Sequence, residues 1–176
     1  MKNKFSMKKF AALLGSVLIG LIFATSAGAA NPEPVTVEVE FVDPITITET
    51  NALQFGLLDV SLGVALVIID PDGTLTDAGS NVLGGTQAAA ALTVVGTAGL
   101  PINILVDNIV PNTGYTLGTF VCNYNGGSDT GCQGAGLDVA SSASSAPLLV
   151  GATLTGIGGA GVGASNGSFD VTVIYQ

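Results

Sequence analysis

Cys122 and Cys132 are the only thiols in the chain, and no histidine stands anywhere to share a proton or a metal with them. Two thiolates do not complete a zinc site, and the spacing is not the C-x-x-C of a redox pair. In an exported chain, two cysteines form one disulfide. The nine residues between them, NYNGGSDTG, are rich in turn formers and can bend the chain back on itself. Closing so short a loop stabilises by roughly 2–3 kcal/mol on the chain-entropy model.

The carboxylates are the other groups with chemistry to offer. Asp70-Pro71-Asp72-Gly73, with Asp77 beyond it, could open a calcium loop. The EF-hand pattern also needs a closing Glu at its twelfth position, which is absent, and the same tetrapeptide is an ordinary turn. A calcium site elsewhere among the carboxylates stays open. Glu38 and Glu40 share one face of an alternating segment. A glycosidase pair would need a cleft lined for sugar, and the chain has no tryptophan. Their reading is a solvated face that discourages edge aggregation. The glycine-rich run GIGGAGVGASNG (residues 156–167) lacks the lysine of a P-loop and precedes a strand pattern rather than a helix. It reads as a flexible turn or an irregular strand. No catalytic residue, metal ligand or cofactor follows, and the chain is expected not to be an enzyme.

Charge narrows the partners. All four basic residues, Lys2, Lys4, Lys8 and Lys9, precede an apolar run over residues 10–23. Small residues and Ala27-Gly28-Ala29 come next, the pattern of a secretory signal helix cut after Ala29, with Ala30 the near alternative. The apolar run is shorter than the ~20 residues of a spanning helix. No cysteine stands there to carry a lipid. Processing leaves all 13 Asp and Glu and no Lys, Arg or His, a charge near −13. Such a chain cannot neutralise phosphates and is repelled by anionic lipid.

The elements that position these groups are strands. β-branched, alternating runs are separated by Gly, Asn, Asp and Pro, and no segment keeps a helical period. Val35, Val37, Val39 and Phe41 alternate with Thr36, Glu38 and Glu40 on a leader that begins NPEP. Asp43-Pro44 interrupts the alternation, and Ile45 and Ile47 resume it. Further strands are expected at residues 53–56, 64–69, 89–95, 102–106, 116–122, 135–139, 148–155 and 168–175, with a loop at 141–147. The core should draw on Ile45, Ile47, Leu53, Phe55, Leu66, Ile68, Val94, Ile104, Phe169, Val171 and Val173.

Both ends of the processed chain carry four apolar residues at period two: Val35, Val37, Val39 and Phe41, then Phe169, Val171, Val173 and Tyr175. Strands with one greasy side invite pairing. Periodicity leaves two arrangements open, pairing within one chain or between two.

PITIT (residues 44–48), LQFG (53–56), PDGT (71–74) and the closing FDVTVIYQ resemble a bacterial family known as domain of unknown function 4402. The resemblance spans essentially the whole mature chain and implies a small, exported, β-rich protein without an established activity. The C-terminus is also similar to that of chaperone–usher fimbrial subunits, with a penultimate tyrosine, Tyr175, and a glycine, Gly163, fourteen residues from the end. That similarity implies a terminal strand gripped by a periplasmic chaperone. It also implies an incomplete immunoglobulin-like sandwich completed by a neighbour's N-terminal strand, here Val35, Val37, Val39 and Phe41. Two features differ from the pattern. The donor segment has no glycine, and the cysteines lie late in the chain.

The expectation is therefore an all-β, immunoglobulin-like Greek-key sandwich over residues 43–176, behind an extended segment at 30–42 and a signal helix at 1–29. Its function would be that of an exported, pilin-like surface subunit assembling by β-strand donation. The partners are other subunits and, before them, a chaperone and an outer-membrane usher, with no nucleic acid and no membrane span after processing. The alternative is a self-contained secreted β-sandwich for binding or adhesion, one that could respond to calcium.

Overall fold

Alternation of β-branched and polar residues folds this chain into strands wherever one face can be covered by another sheet. The structure, a computed structural model, describes residues 36–62, 66–110, 114–140, 142–156, 162–163 and 166–176. The expected signal segment, 1–29, and Val35 lie outside them. The chain divides into two units, Met1–Glu40 and Phe41–Gln176. The described part of the first, residues 36–40, is exposed and carries no strand.

Twelve strands are present among the described residues of the second unit: β1 (Thr46–Asn51), β2 (Gln54–Leu58), β3 (Leu66–Ile69), β4 (Leu75–Asp77), β5 (Val82–Ala88) and β6 (Ala90–Val95), then β7 (Ile102–Val110), β8 (Thr116–Tyr124), β9 (Thr130–Gly131), β10 (Leu137–Val139), β11 (Ser145–Thr155) and β12 (Ser168–Tyr175). The one helical piece among them is a single 3₁₀ turn at Val60–Leu62. No helix there is long and apolar enough to cross a membrane.

All ladders between these strands are antiparallel, and they form three sheets. The largest runs β1-β6-β11-β3-β4, with β8 also on β11 and β9 on β8. Residues 148–150 of β11 pair with both β6 and β8, and residues 153–155 with both β3 and β8. So β8 holds one edge of this 11-residue strand, while β6 and β3 share the other. The second sheet is β10-β7-β12, and the third is the ribbon β2-β5.

One core joins the first two sheets. Val94, Phe120, Leu148 and Val150 from the large sheet are buried together with Ile102, Ile104, Val106 and Val173 from the small one. A second, smaller cluster forms around Val67 and Leu154, against which Phe55, Leu58 and Val82 pack from the ribbon.

The disulfide joins Cys122 to Cys132, with Cα atoms 5.7 Å apart. The local sequence makes that closure. Asn125 and Gly126 both take positive φ, 52° and 72°. The Gly127 N–H donates to the Tyr124 carbonyl at 3.0 Å. An Asn-Gly pair with two left-handed residues is the primed turn that suits strand twist. It returns the chain so that Cys132 donates to the Phe120 carbonyl, while its own carbonyl accepts from the Val106 amide at 2.8 Å. This segment therefore bridges the large and small sheets along one side.

The expected Asp70–Gly73 turn is present. The Gly73 N–H donates to the Asp70 carbonyl and the Thr74 N–H to Asp72 Oδ1, both at 2.8 Å. Two expectations need correction. In β3 the buried residues are Val67 and Ile69, not Leu66 and Ile68, because the pairs Val67↔Leu154 and Ile69↔Ala152 set the parity. An unbroken apolar run carries no alternation from which parity could be read. The loop expected at 141–147 gives way to β11 from Ser145 onward. Pro147 fits there because its carbonyl points toward β8, accepting from the Asn125 amide, and the ladder with β8 begins only at Leu148. Its missing N–H falls just past the end of that ladder.

Asp77 ties β4 to β5. Its Oδ2 accepts from the Val82 N–H at 2.8 Å and its Oδ1 from the Asn81 amide at 2.7 Å. These bonds, the Val82 amide first, hold its carboxyl down to about 2 from the ordinary 3.8. Such a group stabilises fully above its unfolded pKa and loses that contribution as pH falls through the folded one. Unfolding midpoints should therefore drop between about pH 4 and pH 2, and Asp77→Asn should flatten that slope. Asp59 and Asp72, also lowered by hydrogen bonds to nearby residues, should keep part of it. A double Cys122→Ser, Cys132→Ser chain should lose about 2–3 kcal/mol in urea unfolding. An unchanged midpoint would mean the turn alone holds the loop.

Candidate functional site

Among the strands paired on one side only in the described residues, β1 and β12 lie near each other. β1 pairs with β6, and β12 pairs with β7. They are joined at one end by the Tyr175 hydroxyl. It donates to the Asp43 carbonyl at 2.9 Å and accepts from the Thr97 N–H at 2.6 Å. The Asp43 N–H donates in turn to Thr97 Oγ1 at 2.8 Å. The residue between β6 and Thr97 has to be glycine here, since a Cβ on Gly96 would sit 2.6 Å from the Tyr175 hydroxyl oxygen. Beneath this clamp Ser142 Oγ donates to the Thr97 carbonyl, and only about 10 Å³ remains empty.

Away from the clamp the strands part. A cleft of about 230 Å³ opens there, lined by Glu49 at the end of β1, Leu53, Leu92 of β6, and Ser168, Phe169 and Val171 of β12. Its floor belongs to the core: Leu92, Phe169 and Val171 all pack against the buried cluster. Phe169 meets the Phe120 ring at 4.8 Å between centroids, tilted by 53°. Among the lining residues Glu49 is the sole ionisable group. In chemical terms, two strand edges over an apolar floor offer main-chain donors and acceptors and a place for side chains at alternate positions. That is how an extended peptide is bound.

Residues 45–175 match a family described as a domain of unknown function, DUF4402. The chain belongs to that family. No curated protein and no solved structure matches it.

Within this DUF4402 domain the segments that carry the resemblance fall on β1, on β2, on the β3–β4 turn and on β12. Phe169, Val171, Val173 and Tyr175 all face inward on β12, as their parity required. Val173 is buried and the others are half-buried. Gly163 is not part of that strand. It lies in a bend before it, with φ of 135°. Of the N-terminal set, Val35 is outside the described residues. Val37, Val39 and Phe41 are 81%, 67% and 91% exposed, which is far outside the range of a covered strand face. The cysteines lie on the opposite side of the small sheet from β12, across β7.

The sequence did not point to Thr97, Gly96 or Asp43 as the clamp, nor to Glu49, Leu53 and Leu92 as cleft wall. Their meeting is set by the β1–β6 register, which periodicity does not contain. The one available signal was the Asp43-Pro44 break, which marks where the leader joins the domain. The Asp72 and Asp77 carboxylates accept from backbone amides, and no three metal-ligating side chains gather among the described residues.

Tyr175→Phe strips a hydroxyl from two backbone partners and should cost about 1–3 kcal/mol. The Thr97 amide should then exchange faster with solvent. Equal stability with unchanged exchange at Thr97 would show that the clamp holds nothing.

Proposed function

We propose that this domain is an exported, non-catalytic structural subunit that assembles by β-strand donation. The segment Val35, Val37, Val39 and Phe41 of one copy enters the cleft between β1 and β12 of the next. One observation carries the reading: an apolar cleft between two singly paired strand edges coexists with an alternating segment whose described apolar residues, Val37, Val39 and Phe41, are exposed. In this reading the sandwich is immunoglobulin-like and one strand short. A periplasmic chaperone and an outer-membrane usher would hold and deliver it to the cell surface.

Dimensions and energies agree with the proposal. Residues 35–41 span about 20 Å when extended, and the donor enters from the open end, since the clamp closes the other. Burying four such side chains contributes about 6–10 kcal/mol before ordering costs, at about 1.5–3 kcal/mol each. The alternation also sends Glu38 and Glu40 outward when the apolar set faces in. Glu49, turned toward the cleft, is the kind of inward charge that keeps an edge from pairing indiscriminately.

Protein purified after export should form high-mass species in light scattering. Val39→Asp with Phe41→Asp should abolish them while leaving the far-ultraviolet circular dichroism unchanged. A wild-type chain that stays monomeric at high micromolar concentration, and binds no peptide of residues 31–42, would sink strand donation. It would favour a self-contained secreted module instead.

A further inference from the structure

A strand-donating chain faces a competitor in its own leader, which is joined in sequence to β1. Resting on the strand-donation reading, we infer that residues 42–45 form a barrier to self-insertion, keeping the leader and the cleft of one copy apart for use by others.

The leader joins β1 directly, so filling its own cleft would require a hairpin with β1. Opposed residues in an antiparallel pair share a face. Ile45 and Ile47 face the core. A two-residue turn at Asp43-Pro44 would oppose Phe41 to Thr46, Glu40 to Ile47 and Glu38 to Glu49. That register turns both leader carboxylates into the core, one of them against Glu49, and sends Val37, Val39 and Phe41 to solvent. A one-residue slip in register is enough to invert every side chain, so this turn is excluded.

The correct face needs a three-residue loop at 42–44, opposing Phe41 to Ile45, Val39 to Ile47 and Val37 to Glu49. Loops of that length place their third residue in the left-handed region. Here the third residue is Pro44, whose ring fixes φ near −65°. A five-residue loop restores the register but lifts Ile45 off the core and takes Phe41 out of the inserted strand. Each route must also release Asp43, whose N–H and carbonyl are held by Thr97 Oγ1 and the Tyr175 hydroxyl. Sequence and clamp therefore oppose the same hairpin independently. A leader from a second copy needs no turn at 42–44, and entering from the open end it leaves the clamp in place.

The test compares three exported proteins: wild type, a Pro44→Gly, Thr97→Val variant, and a leader-silenced Val37→Ser, Val39→Ser, Phe41→Ser variant. Pro44→Gly supplies the left-handed residue, and Thr97→Val frees the Asp43 amide. The probe is a synthetic peptide of residues 31–42. At concentrations too low for assembly, the peptide should raise the melting temperature of wild type and of the leader-silenced variant alike, by about 5–10 °C at 100 times its Kd. The Pro44→Gly, Thr97→Val variant should stay monomeric at assembling concentrations and ignore the peptide.

A Pro44→Gly, Thr97→Val variant that assembles and responds to peptide as wild type does would overturn the barrier. So would a dilute wild-type monomer that melts well above the leader-silenced one, because its leader would already lie in its own cleft. That second comparison does not depend on the double variant folding. If the leader-silenced protein itself ignores the peptide, strand donation fails, and the barrier goes with it.

Discussion

The Tyr175 hydroxyl, donating to Asp43 and accepting from Thr97, fixes how the edge strands β1 and β12 relate. At the clamp the last residue of β12 lies against the root of β1, and no room for a further strand remains. A few residues along, the same two strands frame a cleft whose floor is core. Without the clamp the small sheet would be tied to β1 by side-chain packing alone. With it, the opening has a closed end and an open end, and both the placement of Phe169 and the obligatory glycine at position 96 follow.

A chain without cations past Lys9 must satisfy its carboxylates in some other way. For several of them it does so with amides, while Asp107 Oδ1 is buried without a partner. Asp59 accepts from Ser61, Asp72 from Thr74, and Asp77 from Val82, Asn81 and Gly79. Each is a local bond at a turn, and each lowers the carboxyl's pKa. Asp138 accepts from Asn103 and Gln176 on the outer face of the small sheet, and Asp170 from Asn108. Acidity here is thus compatible with a fold held by apolar burial and main-chain pairing, and it sets copies of the chain to repel one another.

Much of this was legible from residue order. Strict alternation placed β1 and β12 with the correct faces, the Asp-Pro-Asp-Gly turn joined two strands as read, and the cysteines paired. Other parts could not be read, for physical reasons. β5, with Gly84 and Gly85 both at positive φ and two register shifts against β2, has no period for its pattern to show. β9 is two residues long and exists because the disulfide loop lays it on β8. The parity of β3 is imposed by β11 across the sheet. The cleft is a property of two edges distant in sequence, so each wall was visible and their meeting was not.

The two sides of the small sheet are secured very unequally. Beyond β7 on one side, the Thr130–Gly131 segment, Cys132 and the disulfide knit it to the large sheet through main-chain bonds and a covalent link. On the other side a single tyrosine hydroxyl makes the join, next to an unfilled volume. A fold that concentrates its cross-links on one side confines opening to the other, because local unfolding follows the least-bonded boundary. An added strand there would gain two partners' worth of main-chain pairing and an apolar floor already fixed in place. A strand added at the stapled side would have to break bonds before making any. On the strand-donation proposal, that asymmetry favours the gap between β1 and β12 as the point of entry.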